Sequence, residues 1–90
     1  MIVLFDHSFE KSLDKLKDNR VKSRVKAMID SMERCGSVND IKGVKAIKGH
    51  TGFYRVRIGD YRAGFEITEN NEILLILIAH RKDIYKRFPK

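Results

Sequence analysis

The most informative part of this chain reads Phe53-Tyr54-Arg55-Val56-Arg57-Ile58-Gly59-Asp60-Tyr61-Arg62-Ala63-Gly64-Phe65-Glu66-Ile67. Two runs of β-strand composition flank the dipeptide Gly59-Asp60, which predicts a hairpin with a two-residue turn. Such a turn sets the register, so Arg57 faces Arg62 across the hairpin. Because side chains alternate along a strand, the three arginines share one face of the sheet, here called the arginine face, and the apolar residues take the other.

The arginine face brings positive charges close together, which reduces the stability of the fold. Like charges directly opposite each other in a sheet reduce stability. We therefore expect the arginine face to bind an anionic ligand. Glu66 shares the face by parity, and we expect it to form a structural ion pair with the nearby Arg55.

The strand after the hairpin adds a fourth arginine. Asn70-Asn71 predicts a second tight turn before the apolar run from Ile73 to Ala79, which has the character of a central strand covered on both faces. If this loop also contains two residues, Tyr61 faces His80 and Arg81 joins the arginine face; a loop of three or five residues would invert these faces. The other pairs of this register are Ile67 with Leu74 and Phe65 with Ile76.

Two amphipathic segments precede the hairpin. The apolar run from Ile2 to Phe5 has β character and ends at Asp6 and Ser8, either of which can cap a helix. Helical spacing then predicts a short helix followed by a longer one, with Gly36 in the C-terminal capping position of the second. The apolar positions are Phe9, Leu13 and Leu16 in the first helix and Val21, Val25, Met28, Ile29 and Met32 in the second.

The order of these elements predicts one α+β domain over residues 1–90. An N-terminal strand leads into a two-helix antiparallel hairpin, and a three-stranded antiparallel meander then forms one sheet. A connector from Ser37 to Gly52 contains one helical turn, and a short tail runs from Lys82 to Lys90. The helices cover one face of the sheet, so the arginines lie on the other.

Composition restricts the kinds of protein that this chain can be. An apolar fraction of 42% argues against disorder. No apolar run reaches the length of about 20 residues needed to span a membrane, and the N-terminus lacks the pattern of a signal peptide. We therefore expect a soluble, cytoplasmic protein. Its single cysteine, Cys35, excludes an internal disulfide and a multi-cysteine zinc site, and the net charge of +7 favours a polyanion or an acidic protein as partner.

Three motifs share the spacing of a known family. They are Ile47-Lys48-Gly49, Tyr54-Arg55-Val56-Arg57-Ile58-Gly59-Asp60-Tyr61-Arg62 and Ala79-His80-Arg81-Lys82-Asp83-Ile84-Tyr85-Lys86-Arg87-Phe88. With the order of elements around them, they resemble the RelE/ParE superfamily, the toxin halves of bacterial and archaeal type II toxin-antitoxin pairs. No single motif is diagnostic, but together in a small basic chain they are fairly specific.

Resemblance to the RelE branch implies a ribosome-dependent endonuclease that cuts mRNA in the A site and so inhibits translation. In that branch the 2′-hydroxyl attacks the adjacent phosphate, leaving a cyclic phosphate and a free 5′-hydroxyl. This chemistry requires no metal or other cofactor. It requires cations that neutralise the pentavalent phosphate, a group that takes the 2′-proton and a group that protonates the leaving oxygen. Guanidinium groups suit the first role, because their planar donors match phosphate oxygens.

The resemblance also implies the site residues. The basic functional positions of the family fall on Arg55, Arg57, Arg62 and Arg81, and its C-terminal tyrosine, which stacks on a base or assists proton transfer, falls on Tyr85. Well-known RelE toxins carry lysines where this chain has Arg55 and Arg57, and one of those lysines is a proposed general base. Arginine cannot take that role, because its pKa stays above about 12.

The general base is therefore left open. A histidine titrates near neutrality, so His80 is included with the arginines and Tyr85 among the predicted catalytic residues. The candidates for the base are His80, Lys48, Tyr85 and Lys86, with Lys45 and His50 in the connector. The residues predicted to bind the RNA substrate are Lys48, Lys82, Lys86 and Arg87.

The resemblance implies a cognate antitoxin as partner, acidic and partly disordered, that wraps the toxin and covers parts of the arginine face. The ribosome and mRNA are further expected partners, bound with steep salt dependence. The toxin-antitoxin complex is expected to bind operator DNA through the antitoxin, and no membrane partner is expected. One alternative is the ParE branch, whose members poison DNA gyrase and cut no RNA. Another is a toxin-like protein that has lost catalysis and only binds its antitoxin.

Overall fold

The predicted hairpin lies within a five-stranded sheet in the computed structural model, which describes residues 1–89. Lys90, the last residue of the predicted domain and tail, lies outside the described residues. The strands lie side by side in the order β1-β5-β4-β3-β2. No helix in the described part of the chain is long and apolar enough to cross a membrane. The elements are β1 (Val3–Phe5), α1 (His7–Asp14), α2 (Asn19–Arg34), a 3-10 turn (Val38–Asp40), β2 (Val44–Ala46), β3 (Phe53–Ile58), β4 (Tyr61–Ile67), β5 (Ile73–His80) and α3 (Ile84–Arg87).

The hairpin of β3 and β4 has the register that its turn predicts. Arg57 lies opposite Arg62, and Arg55 lies opposite Gly64. Gly59 has a φ of 59° and is the one turn residue with a positive φ, which is the pattern of a type II′ turn. Both the α+β class and the sharing of one face by the hairpin arginines are confirmed.

The connector from Ser37 to Gly52 is more ordered than predicted. It contains the expected helical turn, but it also contains β2, which pairs antiparallel with β3. On the opposite side of the sheet, β1 pairs in parallel with β5. The predicted three-stranded meander is present as β3, β4 and β5, and the strand that the prediction missed is β2. The reason is that β2 has 3 residues, too few for an alternation of apolar and polar positions to be recognised.

The connection into β5 differs from the prediction in two ways that cancel. The loop runs from Thr68 to Glu72 instead of having two residues, so the pairing of Ile67 shifts by one position. A register shift between Gly64 and Phe65, the signature of a β-bulge, then restores the predicted pairing of Tyr61 with His80. Two predicted pairs are wrong, since Ile67 lies opposite Ile73 and Phe65 lies opposite Leu75.

The first helix begins as expected, but the second ends differently from the prediction. Asp6 caps α1 and Asp18 caps α2, each accepting a hydrogen bond from the backbone of the first turn. After Arg34 the chain continues through Cys35 in an extended conformation, and Gly36 does not have a positive φ. The predicted glycine cap is therefore wrong, because the chain leaves the helix directly as extended backbone.

Both helices pack on the face of the sheet opposite to the arginines. The predicted apolar stripes supply this core, and every predicted position is buried or half-buried. The buried members are Phe9, Leu16, Val25, Met28, Met32, Ile41, Val56, Ile58, Ala63, Phe65, Ile73, Leu75 and Ile78.

Helix α1 protects the part of β5 that β1 does not reach. Ser8 donates its Oγ hydrogen to the Ile76 carbonyl at 2.6 Å. Ser12 accepts a hydrogen bond on its Oγ from the Ile78 amide at 3.0 Å. These serines satisfy backbone groups beside the bulge that would otherwise form an open sheet edge.

Replacing Ser12 by alanine is expected to lower the free energy of unfolding by about 1–3 kcal/mol. Ser12 is 7% exposed, so the Ile78 amide loses its acceptor in a place that water does not easily reach. Urea unfolding followed by circular dichroism measures the change. Ser23→Ala at an exposed position of α2 is the matched control, with an expected change below about 0.5 kcal/mol. Equal losses in the two variants would contradict the assigned role of Ser12.

A second, smaller apolar cluster lies on the arginine face. Residues of the C-terminal tail pack there onto β5, so this strand is covered on both faces along part of its length, as predicted. The tail therefore occupies part of the arginine face beside the charged groups. The buried members are Leu77, Ala79, Ile84 and Phe88, and Ile47, Phe53 and Ile76 pack around them.

Candidate functional site

The turn of the hairpin anchors two of the arginines. The guanidinium of Arg62 donates from Nη1 to the carbonyls of Gly59, at 3.0 Å, and Tyr61, at 2.9 Å. The backbone amide of Arg81 donates to the carbonyl of Asp60 at 2.8 Å. The turn thus fixes the side chain of one arginine and the backbone of another.

The four arginines form one electrostatic cluster, here called the arginine cluster. Burial lowers the pKa of the Arg62 guanidinium, and the charges of Arg55, Arg57 and Arg81 lower it further, whereas Tyr85 acts in the opposite direction. All four of these groups therefore lie near enough to Arg62 to affect it. Arginine stays protonated at neutral pH, so the cluster is a lasting concentration of positive charge.

The arginine cluster has no carboxylate partner within residues 1–89. The predicted ion pair between Glu66 and Arg55 is absent there, although the two residues share the arginine face. Guanidinium donors that no carboxylate neutralises are available to an external anion. The ion pairs that this part of the chain does form are Arg20 with Asp18 and Lys86 with Asp83.

Tyr85 brings a phenol group to the arginine cluster. It lies on α3 with 58% of its surface exposed, and its hydroxyl oxygen accepts a hydrogen bond from Nε of Arg55 at 3.1 Å. A phenol that accepts in this way keeps its own O–H as a donor. The structure thus places a possible proton donor directly beside the cationic groups.

Strand β2 adds Lys45 to the arginine face. Lys45 and Arg55 lie directly opposite each other in the ladder of β2 and β3, so their side chains leave the same face of the sheet. Sequence reasoning treated Lys45 as one of several bases in an irregular connector. The missing signal was the pairing of β2, which the short strand does not reveal by its own pattern.

His80 lies on the opposite face of the sheet. It pairs with Tyr61 in the β4–β5 ladder, and the two rings meet edge to face with centroids 5.6 Å apart. Its Nδ1 accepts a hydrogen bond from the Lys82 amide at 3.2 Å. The structure therefore separates the imidazole from the guanidinium groups, and the predicted register for this residue is confirmed.

The predicted RNA-binding residues lie in the segments after β2 and after β5 and on α3. Lys48 is exposed in the segment between β2 and β3, as is the candidate base His50, and Lys82 is exposed in the turn after β5. Lys86 and Arg87 line a cleft that α3 shares with α1. Within residues 1–89, no three His, Cys, Asp or Glu side chains are placed to hold a metal ion.

Replacing Arg57 by glutamine is expected to raise the melting temperature. Arg57 lies directly opposite Arg62, and removing one of two facing like charges is worth up to about 1 kcal/mol. Thermal unfolding at low and high salt measures the gain, which should shrink at high salt because screening already weakens the repulsion. Lys26→Gln on the exposed side of α2 is the matched control. A lower melting temperature for Arg57→Gln than for the control would contradict the repulsion.

The molecule is a mixed five-stranded sheet with two helices on one face and a cationic cluster on the other. A family model described as "ParE toxin of type II toxin-antitoxin system, parDE" matches residues 3–85. The chain belongs to this toxin family, within the RelE/ParE superfamily.

Known relatives are RelE toxins. Toxin RelE3 of Methanocaldococcus jannaschii is 39% identical over 90 residues, which cover 99% of this chain and 100% of the relative. The RelB-RelE antitoxin-toxin complex from Methanococcus jannaschii has a chain with a TM-score of 0.80 and 34% identity, covering 96% of this chain and 99% of that one. The isolated E. coli RelE toxin shares the fold, with a TM-score of 0.64 at 15% identity over 88% of this chain and 82% of that one. The protein is therefore a RelE-like toxin of a type II system.

Proposed function

We propose that this toxin is a ribosome-dependent endonuclease that cleaves mRNA in the A site, inhibits translation and arrests growth. The observation that carries the proposal is the arginine cluster with the Tyr85 phenol in contact with it and no carboxylate partner within residues 1–89. A cluster of this kind suits a phosphodiester whose charge increases during the reaction. The toxin would act in the cytoplasm, where ribosomes and mRNA meet.

The arginine cluster would bind the scissile phosphate and stabilise its pentavalent transition state. Arg62 is held by the turn carbonyls through Nη1 alone, so its other guanidinium donors are available to phosphate oxygens. The 2′-oxygen forms a bond to phosphorus, and the bond from phosphorus to the 5′-oxygen breaks. The products are a 2′,3′-cyclic phosphate and a 5′-hydroxyl, so one proton leaves the 2′-oxygen and one reaches the 5′-oxygen.

Two residues on the arginine face have the chemistry for these proton transfers. Tyr85 has an O–H beside Arg55 and suits protonation of the leaving 5′-oxygen. Lys45 lies opposite Arg55 and is the candidate amine for the 2′-proton. His80 is less suited, because its ring lies against Tyr61 on the other face. The exposed residues Lys48, Lys82, Lys86 and Arg87 would add contacts to the RNA backbone.

A cognate antitoxin is the proposed protein partner, and a groove between α2 and the hairpin supports this. The groove has a volume of about 580 Å³, with Met28, Ile41 and Val56 among its apolar residues. Arg24, Lys42 and Arg57 also line it. A partner segment with apolar and acidic side chains would complement both parts, and it would reach Arg57 of the arginine cluster. The toxin-antitoxin complex would bind operator DNA through the antitoxin.

The alternative function is inhibition of DNA gyrase without RNA cleavage, as in the ParE branch. The relatives reported above are RelE toxins, and the arginine cluster with Tyr85 supplies groups that a gyrase inhibitor does not need. Both observations favour the endonuclease. A toxin-like protein without catalysis is disfavoured by the same groups.

The test is an assay on ribosomes programmed with a defined mRNA. The wild-type protein is expected to cut the A-site codon with no divalent metal beyond what the ribosome requires, leaving a cyclic phosphate and a 5′-hydroxyl. Ribosomes whose A site is filled by tRNA are the control and should protect the codon. Intact mRNA together with gyrase-linked DNA breaks would overturn the proposal in favour of the ParE alternative.

A further inference from the structure

Tyr85 is held from both sides by buried residues of the tail. Ile84 is 0% exposed and Phe88 is 2% exposed, whereas Tyr85 between them is 58% exposed. The Phe88 amide donates to the Ile84 carbonyl at 2.9 Å and so closes the turn that contains Tyr85. The phenol is therefore presented by a short segment whose two ends are fixed in the small cluster on the arginine face.

The ring of Phe88 lies directly on the backbone of Gly64. A Cβ atom at position 64 would lie 2.6 Å from Cδ2 and Cε2 of the ring, a distance at which one of the groups must move. The ring meets Phe53 edge to face at 5.8 Å and is buried, so it has little room to withdraw. Gly64 does not have a positive φ. The glycine is thus needed for the space above it and not for its backbone conformation.

Gly64 is also the direct neighbour of the residue that holds the phenol. It lies opposite Arg55 in the β3–β4 ladder, and Arg55 donates its Nε hydrogen to Tyr85. That hydrogen bond is the phenol's single hydrogen bond within residues 1–89. The position of the phenol therefore depends on the position of α3, which is fixed by the packing of Phe88 against Gly64.

We propose that Gly64 and Phe88 form a seat that positions the Tyr85 phenol on Arg55. Both are positioning residues for the cleavage reaction, and this role in the reaction rests on the function proposed above. The seat also makes a structural claim that holds for the protein without RNA. Filling the space above Gly64 moves Phe88, moves α3 with it and separates the phenol from Arg55.

The activity test compares Gly64→Ala with Gly36→Ala, whose new methyl group would meet no atom within 4 Å. On programmed ribosomes, Tyr85→Phe is expected to lower kcat by about 100-fold or more. Gly64→Ala should lower kcat to a similar level, with KM changed less than about twofold, because the phosphate contacts remain. Gly36→Ala should act like the wild type.

A double-mutant cycle separates positioning from a general loss of structure. Adding Gly64→Ala to Tyr85→Phe is expected to cause no further loss, because the hydroxyl that the seat positions is already gone. Combining Gly64→Ala with Phe88→Leu should restore part of the activity, because the smaller side chain makes room for the new methyl group. Phe88→Ala, which empties the seat, gives the same comparison if Gly64→Ala does not fold. Additive losses in the Tyr85→Phe background would overturn the proposal.

A measurement without RNA keeps this inference separate from the proposed function. The Nε–H signal of Arg55 in NMR spectra should shift in Gly64→Ala as it does in Tyr85→Phe, and should keep its wild-type position in Gly36→Ala. An unchanged signal in folded Gly64→Ala would contradict the positioning role of Gly64 and Phe88, even if the wild-type protein cleaves mRNA in the ribosome assay. If the wild-type protein does not cleave mRNA but the Arg55 signal shifts as expected in Gly64→Ala, the proposed function is wrong and the positioning role of Gly64 and Phe88 stands.

Discussion

Arg62→Ala is expected to lower A-site cleavage by about 100- to 1,000-fold and to abolish growth arrest on expression. Burial lowers the pKa of the Arg62 guanidinium, and the charges of Arg55, Arg57 and Arg81 lower it further, so Arg62 belongs to the arginine cluster. Its Nη1 is anchored on the carbonyls of Gly59 and Tyr61. A guanidinium fixed before the substrate arrives stabilises a transition state without reorganising, and alanine removes that group entirely.

The fold should survive this change. Arg62 faces Arg57, so the substitution removes a repulsion between like charges. This gain in stability offsets part of the loss of the two hydrogen bonds that Arg62 donates. Arg62→Lys should remain strongly impaired, because an ammonium group cannot reproduce the planar fork of donors. Arg81→Ala is expected to show the same loss, whereas the exposed control Arg34→Ala at the end of α2 should stay toxic. Normal toxicity of folded Arg62→Ala and Arg81→Ala would refute the assignment of the site.

Gly59→Ala has the second large expected effect, because this residue supports both stability and the site. Its φ of 59° is unfavourable for residues with a Cβ atom, at a cost of about 1–3 kcal/mol. A Cβ atom would also lie 2.9 Å from Nη1 of Arg24, but the exposed Arg24 side chain can move away at little cost. The Gly59 carbonyl accepts from Arg62, and the next carbonyl accepts from Arg81. A distorted turn is therefore expected to displace two residues of the arginine cluster at once.

Denaturant unfolding and the ribosome assay on the same samples measure the two consequences of Gly59→Ala. Cleavage should fall by more than the loss of folded protein explains. Gly36→Ala is the control, because Gly36 lacks a positive φ and has open space around it. Full cleavage by the folded fraction of Gly59→Ala would show that the turn does not position the arginines.

Local patterns predicted the elements with strong signals. The type II′ turn fixes the register of β3 and β4, because two residues leave one way to pair the flanking strands. The apolar stripes of α1 and α2 were predicted correctly, because helical spacing repeats over several turns, except that the buried Leu16 lies beyond the end of α1. The end of α2 was predicted wrongly. Gly36 follows the extended residue Cys35 and does not cap the helix.

For the connection from β4 to β5, the pairing of Tyr61 with His80 was predicted correctly although the predicted loop length was wrong. The loop is longer than predicted, which alone would have exchanged the two faces of β5. The bulge at Gly64 and Phe65 exchanges them again, so His80 lies beside Tyr61 after all. Side-chain faces have a period of two, so two single-residue errors cancel. The one local signal is Gly64, because a glycine inside a strand pattern often marks a bulge, but a glycine alone does not fix where the register shifts.

The sequence by itself determined which charged groups share a face of the hairpin, because strand alternation and a two-residue turn are local properties. The residues alone also indicated the superfamily, through motifs whose spacing is readable without coordinates. Only the tertiary structure decided that Lys45 lies opposite Arg55, and that Tyr85 contacts Arg55 while Phe88 lies on Gly64. Those contacts join segments far apart in the chain, and their geometry depends on a bulge, a short edge strand and a folded tail, none of which has a periodic pattern.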